Sequence, residues 1–133
     1  VTKIHHIGIA VQNIDRLVQF YTKLCNAREV HIEEVKSDGV KIAFIEIGES
    51  KIELLEPLDP SSPVHKFLER HGEGMHHIAI EVEDINAQLE TLKKMGVQLI
   101  DEIPRQGSEG LLIAFIHPKS TGGVLIELCE RRS

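Results

Sequence analysis

A chain that states one pattern twice is constrained to fold as two like halves, and this one does so in its most apolar segments. Shifted by 71 positions, "HHIGIAVQNI" at residues 5–14 aligns with "HHIAIEVEDI" at residues 76–85, matching both histidines, three isoleucines and a valine. The offset exceeds the roughly 20–50-residue period of solenoid repeats, so two copies imply a pseudo-twofold unit and not a stack. At 133 residues the chain is long enough for one continuous core and short for two ordinary domains, so a single domain over 1–133 is expected.

Both copies continue alike. Asn13 can cap a helix whose apolar positions Ile14, Leu17, Val18, Tyr21 and Leu24 recur at helical spacing, with Asn26 ending it. Asp84 opens the counterpart, which carries Ile85, Leu89, Leu92 and Met95 on one stripe and stops at Gly96. Three apolar stretches follow each helix, near residues 28–34, 40–47 and 51–56 in the first copy and 97–102, 111–117 and 123–129 in the second. Gly39, "GES" at 48–50, "GSEG" at 107–110 and "TGG" at 121–123 punctuate them as hairpin turns. The fold class is therefore α+β. Two tandem βαβββ modules, about 1–58 and about 75–131, are joined by a linker helix within 61–72 that Ser62 caps, Pro63 starts and Gly72 ends.

Composition narrows the class further. With four phenylalanines, one tyrosine and no tryptophan, the core is left to Ile, Val and Leu, whose β-branched members favour strands. A formal net charge of −6 argues against nonspecific nucleic-acid binding, which needs a basic face, and an anionic ligand would need a local basic patch. Cys25 and Cys129 stand far apart without a CxxC pattern and read as core thiols in a reducing compartment. No apolar run approaches the roughly 20 residues that span a bilayer, and the N-terminus lacks the stages of a secretion signal. A cytoplasmic protein without a membrane partner is expected.

Side chains alternate along a strand, so His6 shares a face with Gly8 and Ala10 while Ile7, Ile9 and Val11 occupy the other. The second copy sets His77 with Ala79 and Glu81, opposite Ile78, Ile80 and Val82. The isoleucine face suits packing beneath the helix. A histidine beside Gly or Ala has empty volume next to it, which a core avoids and a binding cavity needs. His5 and His76 point with the isoleucines and read as supporting or structural. A hydrogen-bonded core histidine is the plain alternative for any one of them.

The last strand of each half carries a related oddity: "KIELLE" places Glu53 between Ile52 and Leu54, and "VLIELC" places Glu127 between Ile126 and Leu128. Taken singly, each could be an outward charge on a half-exposed strand. Buried without a partner, each would be expensive. Together His6, Glu53, His77 and Glu127 have the composition of a two-nitrogen, two-oxygen divalent metal site. Imidazole with carboxylate suits Zn, Mn, Co, Ni or Fe, and an octahedral ion would keep two positions for water or substrate.

The stretches "IHHIGIAVQNID", "IELLEP", "SPVHKFLERHGEGMHHIAIEVEDI", "DEIPRQGSEG" and "IAFIHPKSTGGVLIEL" carry a resemblance. Over nearly its whole length the chain resembles the vicinal-oxygen-chelate superfamily (the glyoxalase fold), and within it the methylmalonyl-CoA epimerases. The first stretch is generic to the superfamily; the third and last are more specific to the epimerases. The resemblance implies a curved, barrel-like mixed sheet around a metal site, a homodimer, and one divalent metal per chain, with cobalt favoured over manganese, nickel or zinc. The family's ligand histidines fall on His6 and His77, and its fourth ligand on Glu127. The remaining ligand, often glutamine in epimerases, falls on Glu53, a departure toward glyoxalase I.

The implied reaction is epimerisation of (2R)- and (2S)-methylmalonyl-CoA by removal and return of the α-proton, with a cation neutralising charge that develops on the thioester oxygen. Inversion asks for two proton carriers. By resemblance Glu127 is one. Some family members place an acid where this chain has Ile42, so the second carrier here would be another carboxylate, Glu81 among the candidates, or a metal-bound water. For the coenzyme A tail, Arg105 and Lys119 lie in Gly-containing loops and could meet phosphates, with solvated loop charges as the alternative. His117 could orient its loop or line the cavity. Glyoxalase I, an extradiol dioxygenase and a metal-free small-molecule binding module of the same fold are the rival readings.

Overall fold

The computed structural model describes residues 2–131. The first βαβββ module comprises β1 (Lys3–Ala10), α1 (Ile14–Leu24), β2 (Val30–Val35), β3 (Val40–Ile47) and β4 (Ser50–Pro57). Helix α2 (Pro63–His71) follows. The second module comprises β5 (Gly74–Glu81), α3 (Ile85–Lys94), β6 (Arg105–Gln106), β7 (Leu112–Ile116) and β8 (Ile126–Glu130). Among the described residues, eight strands and three α-helices give a mixed α+β architecture. Residues 6–76 form one compact unit, and the described residues of 1–5 and 77–133 form the other.

In the first unit the strand order is β2-β3-β4-β1, with β2, β3 and β4 antiparallel and β1 parallel to β4. The second repeats the scheme as β6-β7-β8-β5, with β5 parallel to β8. A parallel partner cannot be reached by a tight turn, so α1 and α3 serve as the crossovers.

Alternation along the strands divides each sheet into two apolar faces. In the first unit Ile14 of α1 packs with Val11, Ala43, Ile45 and Leu54, and Ile9 and Ile52 lie against this group. The opposite face gathers Ala10, Ile42, Phe44 and Leu55 with Val64 and Leu68 of α2. β3 is thus covered on both sides, which is why "VKIAFI" reads as an almost unbroken apolar run. In the second unit Ile85 and Leu89 of α3 pack on Val82, Ala114, Ile116 and Leu128, while Ala79, Leu111, Ile113 and Cys129 line the other face. Ile14, Ile45 and Leu54 are fully buried, each contributing about 1.5–3 kcal/mol.

The helix boundaries follow the capping residues. Asn13 Oδ1 accepts the Asp15 N–H at 2.8 Å, Ser62 Oγ accepts that of Val64 at 3.2 Å, and Asp84 Oδ1 accepts that of Ala87 at 3.1 Å. Asn26 adopts the left-handed conformation, φ 54°, that ends α1, and Gly96 does so after α3 with φ 80°.

Three expectations are corrected. Leu24 and Met95, read as the ends of apolar stripes, are 62% and 70% exposed. At the end of α1, Cys25 packs against the core in place of Leu24. Residues 97–102 are not a strand: a single bridge joins Leu99 to Ile116, after which the N–H groups of Ile100 and Asp101 both donate to the Phe115 carbonyl, at 2.9 and 3.2 Å. Two residues opposing one is a bulge, and it ends regular pairing until Arg105. Cys25 is half-buried and Cys129 is buried, and neither forms a disulfide.

Candidate active site

Register explains how each module presents its carboxylate. β4 sets Glu53 between Gly8 of β1 and Phe44 of β3, and β8 sets Glu127 between Ala79 of β5 and Phe115 of β7. Gly8 and Ala79 add almost no side chain, so the histidine two residues earlier on the same face can reach across. His6 Nδ1 lies 3.0 Å from Glu53 Oε2, both side chains being 2% exposed. His77 Nε2 lies 3.0 Å from Glu127 Oε1, with 6% and 7% exposure. The reading of each glutamate as an outward charge is thus set aside.

The electrostatic consequence is the same in both modules. A carboxylate removed from water is costly unless a cation or hydrogen-bond donors balance it. Each glutamate has an imidazole nitrogen at contact distance, and imidazole with carboxylate is a donor set for a divalent ion. The chemistry of these residues therefore fits a metal. In the second module the Phe115 ring stands nearly perpendicular to His77, centroids 5.9 Å apart and planes at 82°, and restricts the imidazole from one side.

A second pair of glutamates, which the sequence reading did not single out, lies three residues further on. Glu56 Oε1 accepts the N–H of Ile14 at 2.7 Å, and Glu130 Oε1 accepts that of Ile85 at 2.9 Å. These amides open α1 and α3 and have no intrahelical acceptor. Three steps along a strand reverse the side, so Glu53 and Glu127 meet histidines while Glu56 and Glu130 face the helices. The repeated "ELLE" and "ELCE" were the available signal.

The remaining candidates are distributed as follows. His5 is buried, and His76 packs edge-on against Phe67 of α2 at 4.9 Å. Ile42 is buried among Ala10, Phe44, Val64 and Leu68. Glu81 receives a hydrogen bond from Arg131 at 3.2 Å. His117 Nδ1 accepts the Lys119 N–H at 3.1 Å and thereby caps the short turn Pro118–Ser120, consistent with orienting that loop. Lys119 is exposed. Arg105 is paired with Asp101 at 3.3 Å, and its guanidinium lies 5.7 Å from the Phe115 ring centroid. No α-helix among the described residues is long and apolar enough to cross a membrane.

Known proteins are similar to this chain in sequence and fold. The model of the Glyoxalase/Bleomycin resistance protein/Dioxygenase superfamily matches residues 5–115. The mitochondrial methylmalonyl-CoA epimerase of Homo sapiens is 38% identical over 127 residues, 95% of this chain and 72% of the relative. An ethylmalonyl-CoA/methylmalonyl-CoA epimerase of Cereibacter sphaeroides is 36% identical over 128 residues, 95% of this chain and 96% of the relative. Among solved structures, a methylmalonyl-CoA epimerase in complex with methylmalonyl-CoA and ammonium superimposes with a TM-score of 0.93 at 39% identity, covering 100% of this chain and 96% of that one. With its duplicated βαβββ modules and likenesses that span nearly the whole of it, the chain belongs to the methylmalonyl-CoA epimerase family of the glyoxalase superfamily.

Proposed function

We propose that this chain is a cytoplasmic, homodimeric isomerase that interconverts (2R)- and (2S)-methylmalonyl-CoA with one divalent ion, cobalt by preference. The observation that supports this most is the buried histidine–glutamate pair at 3.0 Å repeated at matching places in both modules. Buried groups of this composition that could hold an ion occur among the described residues. In this reading His6, Glu53, His77 and Glu127 hold the metal. When bound, the ion supplies positive charge that draws electron density from the substrate's carboxylate and thioester oxygens.

The substrate's α-hydrogen sits between a carboxylate and a thioester carbonyl, and its loss leaves an enolate. Glu127 takes or gives the proton on one face of the α-carbon, and a second carrier, Glu81 among the candidates, serves the opposite face. Phe44 and Ile42 provide an apolar wall in the first module, and Phe115 one in the second, which limits the water that could quench the carbanion. Lys119, exposed on its loop, meets phosphates of the coenzyme, whereas Arg105 is held by Asp101 and lies over the Phe115 ring.

The test is proton NMR of α-proton exchange in deuterium oxide with methylmalonyl-CoA, with and without chelator. Glu127→Gln is expected to keep the fold and lose about 10²–10⁴-fold in exchange. Near-normal exchange would remove Glu127 as the base. Activity on the hemithioacetal of glutathione alone would move the reading to glyoxalase I.

A further inference from the structure

The bulge at residues 100–101 ties the Phe115 peptide at both ends. Its carbonyl accepts the N–H groups of Ile100 and Asp101, and its own N–H donates to Asp101 Oδ2 at 2.9 Å. The other carboxylate oxygen, Oδ1, receives Arg105 Nε–H at 3.3 Å. Arg105 stands opposite Ile113 across the β6–β7 pair, which sets it diagonally beside Phe115 on the same face, with its guanidinium 5.7 Å from the ring centroid. On the other side the ring meets His77 at 5.9 Å and stands opposite Glu127 in register.

We infer that Asp101, Arg105 and Phe115 form a positioning chain that fixes the imidazole of His77 against Glu127. Asp101 aims the backbone of Phe115 and anchors the guanidinium; the cation holds one face of the ring; the ring limits rotation of His77. None of the three touches the reacting atoms, so they act through His77 and Glu127. Bulges beside active sites commonly re-aim a side chain, and here the re-aimed side chain is Asp101. Its catalytic consequence rests on the epimerase reading, whereas its effect on His77 does not.

Two readouts separate the cases. In the metal-free protein, Phe115→Leu and Arg105→Met are expected to shift and broaden the His77 imidazole signals in ¹⁵N-correlated NMR, and Arg105→Lys to restore them in part. In the epimerase assay the same two variants are expected to lose about tenfold in kcat with KM within about twofold, since a misplaced group costs rate before affinity. Asp101→Asn, which keeps an acceptor for the Phe115 N–H and loses the charge that holds Arg105, is expected to fall between parent and Arg105→Met. Unchanged His77 signals in Arg105→Met, a substitution at an exposed position outside the core, would overturn the proposal. So would a rise in KM with kcat and His77 signals intact, the signature of a direct phosphate contact. If the parent showed no epimerase activity, the function reading would fall while the imidazole signals still decided the positioning chain.

Discussion

Removing the carboxylate of Glu56 should expose what holds α1 in place. The Ile14 N–H is the first amide of the helix, Ile14 is fully buried, and Glu56 Oε1 accepts from it at 2.7 Å. In Glu56→Ala that donor loses its acceptor at a partly buried place, which costs about 1–3 kcal/mol. The negative charge at the positive end of the helix is lost too, worth about 0.3–1 kcal/mol. Together the loss should be about 2–3 kcal/mol. Glu56→Gln retains a carbonyl oxygen and should lose only the charge contribution, about 0.3–1 kcal/mol. By urea denaturation the midpoint should fall with an unchanged slope, and by melting Tm should drop by about 8 °C for alanine. Glu130→Ala should behave alike through the Ile85 N–H at 2.9 Å. An alanine variant within about 0.5 kcal/mol of the parent, or a glutamine variant as damaged as alanine, would refute the reasoning.

Further outcomes follow from the other contacts. Glu73 is held below its ordinary pKa chiefly by the hydrogen bond from Arg16, at 2.6 Å, and then by the Gln12 N–H. A depressed folded-state pKa adds stability that is present above the unfolded value, 4.5, and fades as pH falls through the folded one; Glu73→Gln should remove this acid-side decline in urea titrations. Glu73 is one-third exposed, so the change should be small. His6→Ala and His77→Ala should each weaken cobalt binding by more than about 100-fold in chelator competition while most of the folded stability remains. Unaltered affinity in either variant would show that histidine to be no ligand.

What the residues disclosed in advance was local or alternating. The caps Asn13, Ser62 and Asp84 each act within three residues of their own position, and the histidine faces follow from alternation against Gly8 and Ala79. Duplication made Glu53 and Glu127 stand out against the ordinary expectation for a strand carboxylate. The helix-capping role of Glu56 and Glu130 was hidden because it spans 42 and 45 residues. The 97–102 segment misled because its apolar residues promise a strand, while the Asp101 carboxylate takes the Phe115 N–H in place of regular pairing. Arg105 could be recognised as a cation, but its aromatic neighbour lies across a hairpin. Leu24 and Met95 show that a helical stripe extrapolates past the point where the core ends.

The odd spacing within "ELLE" and "ELCE" has an evolutionary consequence. Deleting or inserting one residue between the paired acids would put both on one side of the sheet, stranding either the helix amide or the imidazole. Length variation among descendants should therefore be confined to the hairpins at the ends of β4 and β8, leaving the interior of these two strands intolerant of indels even where side chains are free to drift.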